Sequence, residues 1–370
     1  MRSLSDTISR LVAHRAQRRA EPSTSDAYSL VELTNFGSNP GALRAKTYIP
    51  ENLTAHSPLV VVLHGCTQTA AGYNFGAGWS DLADAEGFAL LFPEQQRTNN
   101  ANLCFNWFDT GDMRRNAGEP LSIRQMIETM VTTHRLDRKR IFITGLSAGG
   151  AMTSVMLATY PDVFAGGAII AGLPYGSANS IPEAFDRMRG HGGPSKARLQ
   201  QMLRAASPHT GPWPTISVWH GSSDLTVVSS NADDIVQQWR TTQGIDDQSI
   251  PSETVVDGHT RRVWKDGSGR DVIEQYDIAG MGHGTPLATA KEAGRDGLGT
   301  AGPFMIDVGI SSTHHIAHFW GIAKLAEFEP KREPRGIRPQ DKAMAPSRAA
   351  PADGIRKTIE DALRSAGLMR

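Results

Sequence analysis

Cysteine is scarce in this chain: Cys66 and Cys104 are its only two. A disulfide-rich scaffold and an all-cysteine zinc site, which needs four thiolates, are therefore excluded. One disulfide or two free thiols remain open. Excess charge of either sign is also missing, since 38 Lys and Arg balance 38 Asp and Glu. A balanced chain has no global electrostatic reason to coat nucleic acid or an acidic membrane, so no nucleic-acid partner is expected. No run approaches the roughly 18 apolar residues of a membrane span, and no internal repeat is visible. What is present, 39% hydrophobic and 21% charged residues, suits a globular protein. Its 370 residues allow one large domain or two small ones. Glycine is plentiful at 37, and many glycines sit beside His, Ser or Pro, a sign of sharp turns at functional loops.

Three zones follow from composition. Residues 1–28 are polar and Arg-rich, with Leu4, Ile8, Leu11 and Val12 at helical spacing. That spacing reads as a poorly ordered segment or short helix, with a surface-binding arm or a targeting segment as alternatives. No continuous apolar stretch marks a standard secretory signal there. Residues 29–328 carry the periodicity of a fold. Residues 329–370 open rich in Pro and Arg, read as a flexible tail, and close on a short candidate helix from 355 to 368.

Strand-like and helix-like segments alternate in the middle zone. Pro58–Leu63, Phe88–Phe92, Arg140–Thr144, Gly167–Ala171 and Thr215–Trp219 are apolar runs of buried-strand type. Val272–Ile278 alternates more, like a strand near a sheet edge. Leu121–His134 and Ala148–Thr159 carry helical apolar stripes. The alternation predicts an α/β fold, a mainly parallel sheet covered by helices on both faces. Chemistry in such sheets gathers just past the C-terminal strand ends.

The strand exits are informative. Gly145-Leu146-Ser147-Ala148-Gly149 follows one strand and opens a helix, the context that lifts a nucleophilic Ser clear of the sheet. His64-Gly65-Cys66 follows an earlier strand, where a backbone amide supplies one oxyanion donor. The amides of Cys66 and Ala148 are the expected pair. Asp224 follows the strand ending at Trp219, and His283 lies between glycines after the last strand. Asp233 and Asp234 compete for the acid's role but fall in a helical pattern. The order Ser147, Asp224, His283 is that of an α/β-hydrolase nucleophile, acid and base. No cofactor or metal is expected. His314 and His318 have metal-compatible spacing, but no acidic residue completes a zinc-protease pattern. A helix behind the catalytic loop is the preferred reading.

With these motifs in place, the sequence resembles the polyhydroxybutyrate (PHB) depolymerase-type esterase family, which also holds feruloyl and acetylxylan esterase-like members. The likeness runs from about Leu43 to Ala323, through LHGCTQ (63–68), CFNWF (104–108), GLSAGGAM (145–152), VWHGSSDLTV (218–227) and GMGHGTPL (280–287). It implies an α/β-hydrolase fold and a serine esterase acting on carboxylic esters. It carries the same three roles onto Ser147, Asp224 and His283, and places Trp107 beside the acyl site. His64 and Gln68 join Trp107 as expected substrate contacts, while Phe105 and Phe108 are divided between core and pocket.

The leading substrates are hydroxyalkanoate esters, oligomeric or polymeric; the rivals are a feruloyl or acetyl carbohydrate ester and a non-catalytic granule- or surface-binding role. Neither a signal peptide nor an aromatic polymer-binding tail is recognisable, which favours short or soluble esters. Residues 176–213 lack a strand pattern, hold one helical patch at Lys196–Ala205, and read as a cap insertion. A Cys66–Cys104 disulfide is expected, because two strand-exit loops meet at the sheet top and the family's HGC and C-x-N-W-F motifs occur together. The missing leader points to the cytoplasm; the resemblance and the disulfide point to an extracellular or periplasmic site.

Overall fold

The computed structural model describes residues 30–246, 248–290 and 297–325. The basic segment 1–28 and the tail 329–370 lie outside the described residues.

In chain order the strands are β1 (Val31–Glu32), β2 (Arg44–Tyr48), β3 (Leu59–Leu63), β4 (Ala89–Glu94), β5 (Ile141–Leu146) and β6 (Gly166–Ile170). Then come β7 (Thr215–Gly221), β8 (Ser252–Val256), β9 (His259–Lys265), β10 (Asp271–Ile278), β11 (Thr285–Leu287) and β12 (Met305–Asp307). The helices are α1 (Ala70–Ala77), α2 (Trp79–Glu86), α3 (Gly118–His134), α4 (Ala148–Thr159), α5 (Ile181–Met188), α6 (Lys196–Ala205), α7 (Ser230–Arg240) and α8 (Ser312–Phe319). Ten strands form one sheet in the order β1-β2-β4-β3-β5-β6-β7-β10-β9-β8, while β11 and β12 pair separately. The inner strands from β4 to β10 run parallel; β1, β2, β9 and β8 add antiparallel margins. This is the α/β-hydrolase fold.

The pleat sorts the core. Leu59, Val61 and Leu63 face one side with Ile123 and Met126 of α3 and Met152 and Val155 of α4. Val60 and Val62 face the other, with Tyr73 of α1, Trp79 of α2 and Ile316 of α8. Each fully buried side chain of this kind contributes roughly 1.5–3 kcal/mol.

Strand β10 lies two strands in from the sheet margin: it bonds β7 on one side and β9 on the other, and β8 forms the margin. Its alternation arises from a buried polar pair. Glu274 accepts from Ser217 Oγ at 2.7 Å and from Arg261 Nε at 2.8 Å, so a carboxylate occupies a core strand without an unmet hydrogen bond.

Strand register then places the loops. Leu63 lies opposite Gly145, so the chain leaves β3 and β5 side by side. Gly221 lies opposite Ile278, so β7 and β10 also end level.

The β6-to-β7 crossover carries two unlike helices. Leu199 and Leu203 of α6 are buried, Gln200 Nε2 donates to Gln237 O at 2.9 Å, and Arg204 Nη2 donates to Thr241 O at 2.8 Å. Helix α6 is thus bound along α7. Helix α5, which lies outside the single predicted helical patch, fully buries only Ala184. Its start was written in the sequence: Ser180 Oγ accepts from Glu183 N, Glu183 reaches back to Asn179 N, and Pro182 occupies the first turn. Gly190, at φ +73°, stops it.

Candidate active site

Ser147 occupies the elbow between β5 and α4 with φ 57° and ψ −117°, a backbone state that side-chain-bearing residues rarely adopt. The turn persists because its surroundings leave no other path. A Cβ on Gly149 would stand 2.5 Å from the carbonyl oxygens of Leu63 and His64, so only glycine lets α4 approach β3 so closely. The Ser147 amide is tied to Ile170 O at 2.9 Å, and the residue lines a cavity at the strand exits.

His283 lines the same cavity. Its Nδ1 lies 2.7 Å from Asp224 Oδ2, a contact that fixes Nδ1 as the protonated nitrogen and leaves Nε2 able to accept a proton. Asp224 is itself anchored, since Oδ1 accepts from the amides of Thr226 and Val227, both at 2.9 Å. Burial would raise the Asp224 carboxyl, but the positive charge that His283 can carry and the polar contacts of His220 and His283 outweigh it and hold the group below its usual range. Asp224 is therefore a carboxylate throughout the neutral range. Asp233 is engaged elsewhere, accepting from Gln275 Nε2 at 2.8 Å.

The turn after β3 is pinned on both sides of Cys66. The Gly65 amide donates to Gln68 Oε1 at 2.8 Å, and the Thr67 amide donates to Asn102 O at 2.7 Å. The Cys66 amide between them has no acceptor among the described residues. The amide of Ala148, first residue of α4, has none either, as the opening of a helix dictates. Cys66 is joined to Cys104 by a disulfide, with Cα atoms 4.3 Å apart. Trp107 and Phe108 follow on the same loop, packed edge-to-face at 5.5 Å, and both line the cavity. Phe105 is core, against the His64 ring.

His64 is corrected from substrate contact to structural residue. It is buried and absent from the cavity wall; its Nδ1 donates to Gly65 O at 2.8 Å and its Nε2 accepts from Gln95 N at 3.1 Å. Burial lowers its pKa, which suits the neutral ring those two contacts require. Gln68 does reach the cavity, with its carbonyl oxygen already committed to the turn.

The cavity holds about 260 Å³. Its floor is Ser147, its far wall Trp107 and Phe108, and its roof Ile181, Phe185 and Met188 of α5. Phe304 closes another side, its ring 6.1 Å from that of His283 and perpendicular to it. His283 is the only charged or titratable side chain among the described residues of this lining. The roof was findable, because Ile181, Ala184, Phe185 and Met188 share one helical stripe. Phe304 carries no local signal.

The histidines of α8 turn elsewhere. His314 Nε2 lies 2.9 Å from Lys324 O, His318 Nδ1 lies 3.2 Å from Ala323 O, and His315 Nε2 lies 3.1 Å from Asp257 Oδ2. Among the described residues no group of three His, Cys, Asp or Glu is arranged to hold a metal ion, and no helix is long and apolar enough to cross a membrane.

A serine held in a strained strand-to-helix turn, sharing a cavity with an imidazole whose Nδ1 is tied to a carboxylate, is the arrangement of a serine hydrolase, and here it stands on the α/β-hydrolase fold. An acetyl xylan esterase from Aspergillus awamori shares that fold with TM-score 0.67 and 23% identity, over 80% of this chain and 100% of that one. The chain belongs to the esterase PHB depolymerase family, whose model matches residues 44–262. It is 46% identical to poly(3-hydroxyalkanoate) depolymerase C of Paucimonas lemoignei over 81% of its own length and 72% of that protein. It is 31% identical to feruloyl esterase B of Talaromyces funiculosus, over 70% and 74% respectively. The protein is a hydrolase acting on carboxylic esters.

Proposed function

We propose that the protein cleaves ester bonds of the 3-hydroxyalkanoate type, with Ser147 as nucleophile, His283 as base and Asp224 as the acid that orients it. The observation that carries the substrate class is the cavity at Ser147, whose walls are apolar or neutral apart from His283. Such walls suit an aliphatic acyl group and offer no buried charge to an ionised one. The 46% identity to a poly(3-hydroxyalkanoate) depolymerase supports the same reading.

The chemistry follows from the residues. His283 Nε2 takes the proton from Ser147 Oγ as the oxygen attacks the ester carbonyl. Asp224 keeps the imidazole in the required tautomer and stabilises the imidazolium. The amides of Cys66 and Ala148 receive the tetrahedral oxyanion; one donor of this kind is worth about 10²–10³ in rate. Collapse returns the proton to the leaving alcohol. Water, activated by the same imidazole, then releases the acyl group from Ser147.

Helix α5 acts as the gate of this site, and the disulfide favours an oxidising compartment. The deciding experiment is a panel of p-nitrophenyl esters of graded length beside 3-hydroxybutyrate oligomers and methyl ferulate. Oligomer turnover well above that of methyl ferulate is expected. The reverse preference would move the substrate to the carbohydrate-ester side of the family.

A further inference from the structure

His220 takes no part in the mechanism above, yet it lies against the same carboxylate. It is the penultimate residue of β7, 2% exposed, and lies outside the cavity lining. Its Nε2 stands 2.7 Å from Val227 O and 3.4 Å from Asp224 Oδ2, the oxygen that also meets His283. A carbonyl only accepts, so Nε2 carries the proton. Nδ1 is buried and has no partner among the described residues. An N–H there would be an orphaned buried donor, so the neutral ring with a bare Nδ1 is the form this site holds. The Nε2–H is bonded to Val227 O, with Asp224 Oδ2 at the longer contact, so two imidazoles lie against one carboxylate oxygen: His283 through a hydrogen bond from Nδ1, His220 through the flank of its Nε2–H. Because its bare Nδ1 is buried and the ring lies outside the cavity lining, His220 cannot replace His283 as base.

We propose that His220 is a positioning residue that shares the Asp224 carboxylate with His283 and thereby limits how strongly that carboxylate raises the basicity of His283. The proposal rests on the assignment of Asp224 and His283 as acid and base. The amides of Thr226 and Val227 engage Oδ1, so loss of the Nε2–H dipole beside Oδ2 leaves that oxygen to His283 alone, which stabilises the imidazolium. No other ionisable side chain of the described cavity lining faces His283. On the sheet side, Asp277 of β10 is the register partner of His220, and Asp233 of α7 is held by Gln275.

The test is the pH profile of kcat/KM for His220→Leu and His220→Gln. Leu removes the donor, and the acid limb should move up by about half a pH unit or more, with kcat reduced and KM little changed. Gln can return an N–H to the Nε2 position, and its profile should stay near that of the parent. A folded His220→Leu enzyme with the parent acid limb overturns the proposal. Should His220→Leu not fold, nitrogen NMR of the unsubstituted protein decides: the neutral His220 ring is expected with Nε2 protonated and Nδ1 bare, and the opposite tautomer overturns it. That measurement does not depend on which groups are catalytic. In an Asp224→Asn background the His220→Leu shift should vanish; if it persists, His220 does not act through Asp224. Full activity of Asp224→Asn itself would instead remove the acid assignment on which the proposal stands.

Discussion

The floor and the roof of the cavity are built on different terms. Below, Ser147, the Cys66 turn and the Asp224–His283 pair sit on exits of strands whose inner residues are buried, and a disulfide and backbone contacts closer than any Cβ allows fix them further. Above, α5 covers the same space while fully burying one alanine. Reacting groups must hold their geometry to a fraction of an ångström. A wall that selects acyl groups by shape tolerates, and can exploit, looser support.

The contrast breaks most sharply at Ser147. Ser147→Ala should fold and lose about 10⁴-fold or more in kcat, roughly 5.5 kcal/mol of transition-state stabilisation. Retention of a tenth of the parent kcat would remove Ser147 from its assigned role. Next comes the floor's covalent tie. Replacing Cys66 and Cys104 together by serine should cost about 3–4 kcal/mol in reversible denaturation, because the bridge closes a long loop of the unfolded chain. An unchanged denaturation midpoint would mean that the floor is rigid without it.

Roof substitutions should divide specificity from stability. Phe185→Ala is expected to lower kcat/KM on the longest acyl chain about tenfold relative to acetate, with little change in melting temperature. Equal losses on short and long esters would deny α5 its selective role. Deleting the whole of 176–210 is a blunter test, since it also strips α6 from α7.

The smallest effect concerns Glu119, which lies buried under the aromatic loop, accepting from Gln95 Nε2 at 2.6 Å and Asn106 N at 3.0 Å. Burial, with Asp112 nearby, raises its pKa well above the ordinary carboxyl value. A raised folded pKa contributes stability that is complete at acid pH and fades as pH climbs from the unfolded to the folded value. The stability of Glu119→Gln relative to the parent should therefore improve with rising pH across that window. A difference that is flat or opposite in slope would show Glu119 to be ionised in the fold.

The same contrast governs what the sequence disclosed. The floor was legible because each of its groups follows an apolar strand, and strand exits converge whatever the loops do. The fold class was legible for the same reason. The margin of the sheet was not: β8 is exposed along most of its length, so it leaves no apolar run, and the buried Glu274 disguised β10 as a half-exposed strand. His64 misled because an HG turn marks the oxyanion loop while its histidine points into the core. His220 went unread because its hydrogen-bond partner is the backbone carbonyl of Val227, a relation no spacing rule encodes. Helix α5 carried two readable signals, the cap at Ser180 and Glu183 and the stripe from Ile181 to Met188, but over only 8 residues they yielded to the longer patch at α6.

The β6-to-β7 crossover has one topological duty, to bring the chain back to the far end of the sheet so that the next strand runs parallel. Helix α6 discharges that duty by lying along α7. Helix α5 carries none of that duty, yet it is not loose: its last turn is buttoned to the loop after β7, where Val228 N donates to Met188 O at 2.8 Å and Asn231 Nδ2 donates to Arg187 O at 3.1 Å. That loop also carries Asp224 and Val227. The apolar stripe facing the cavity is therefore the part a protein engineer can exchange, while the last turn is a seam shared with the floor.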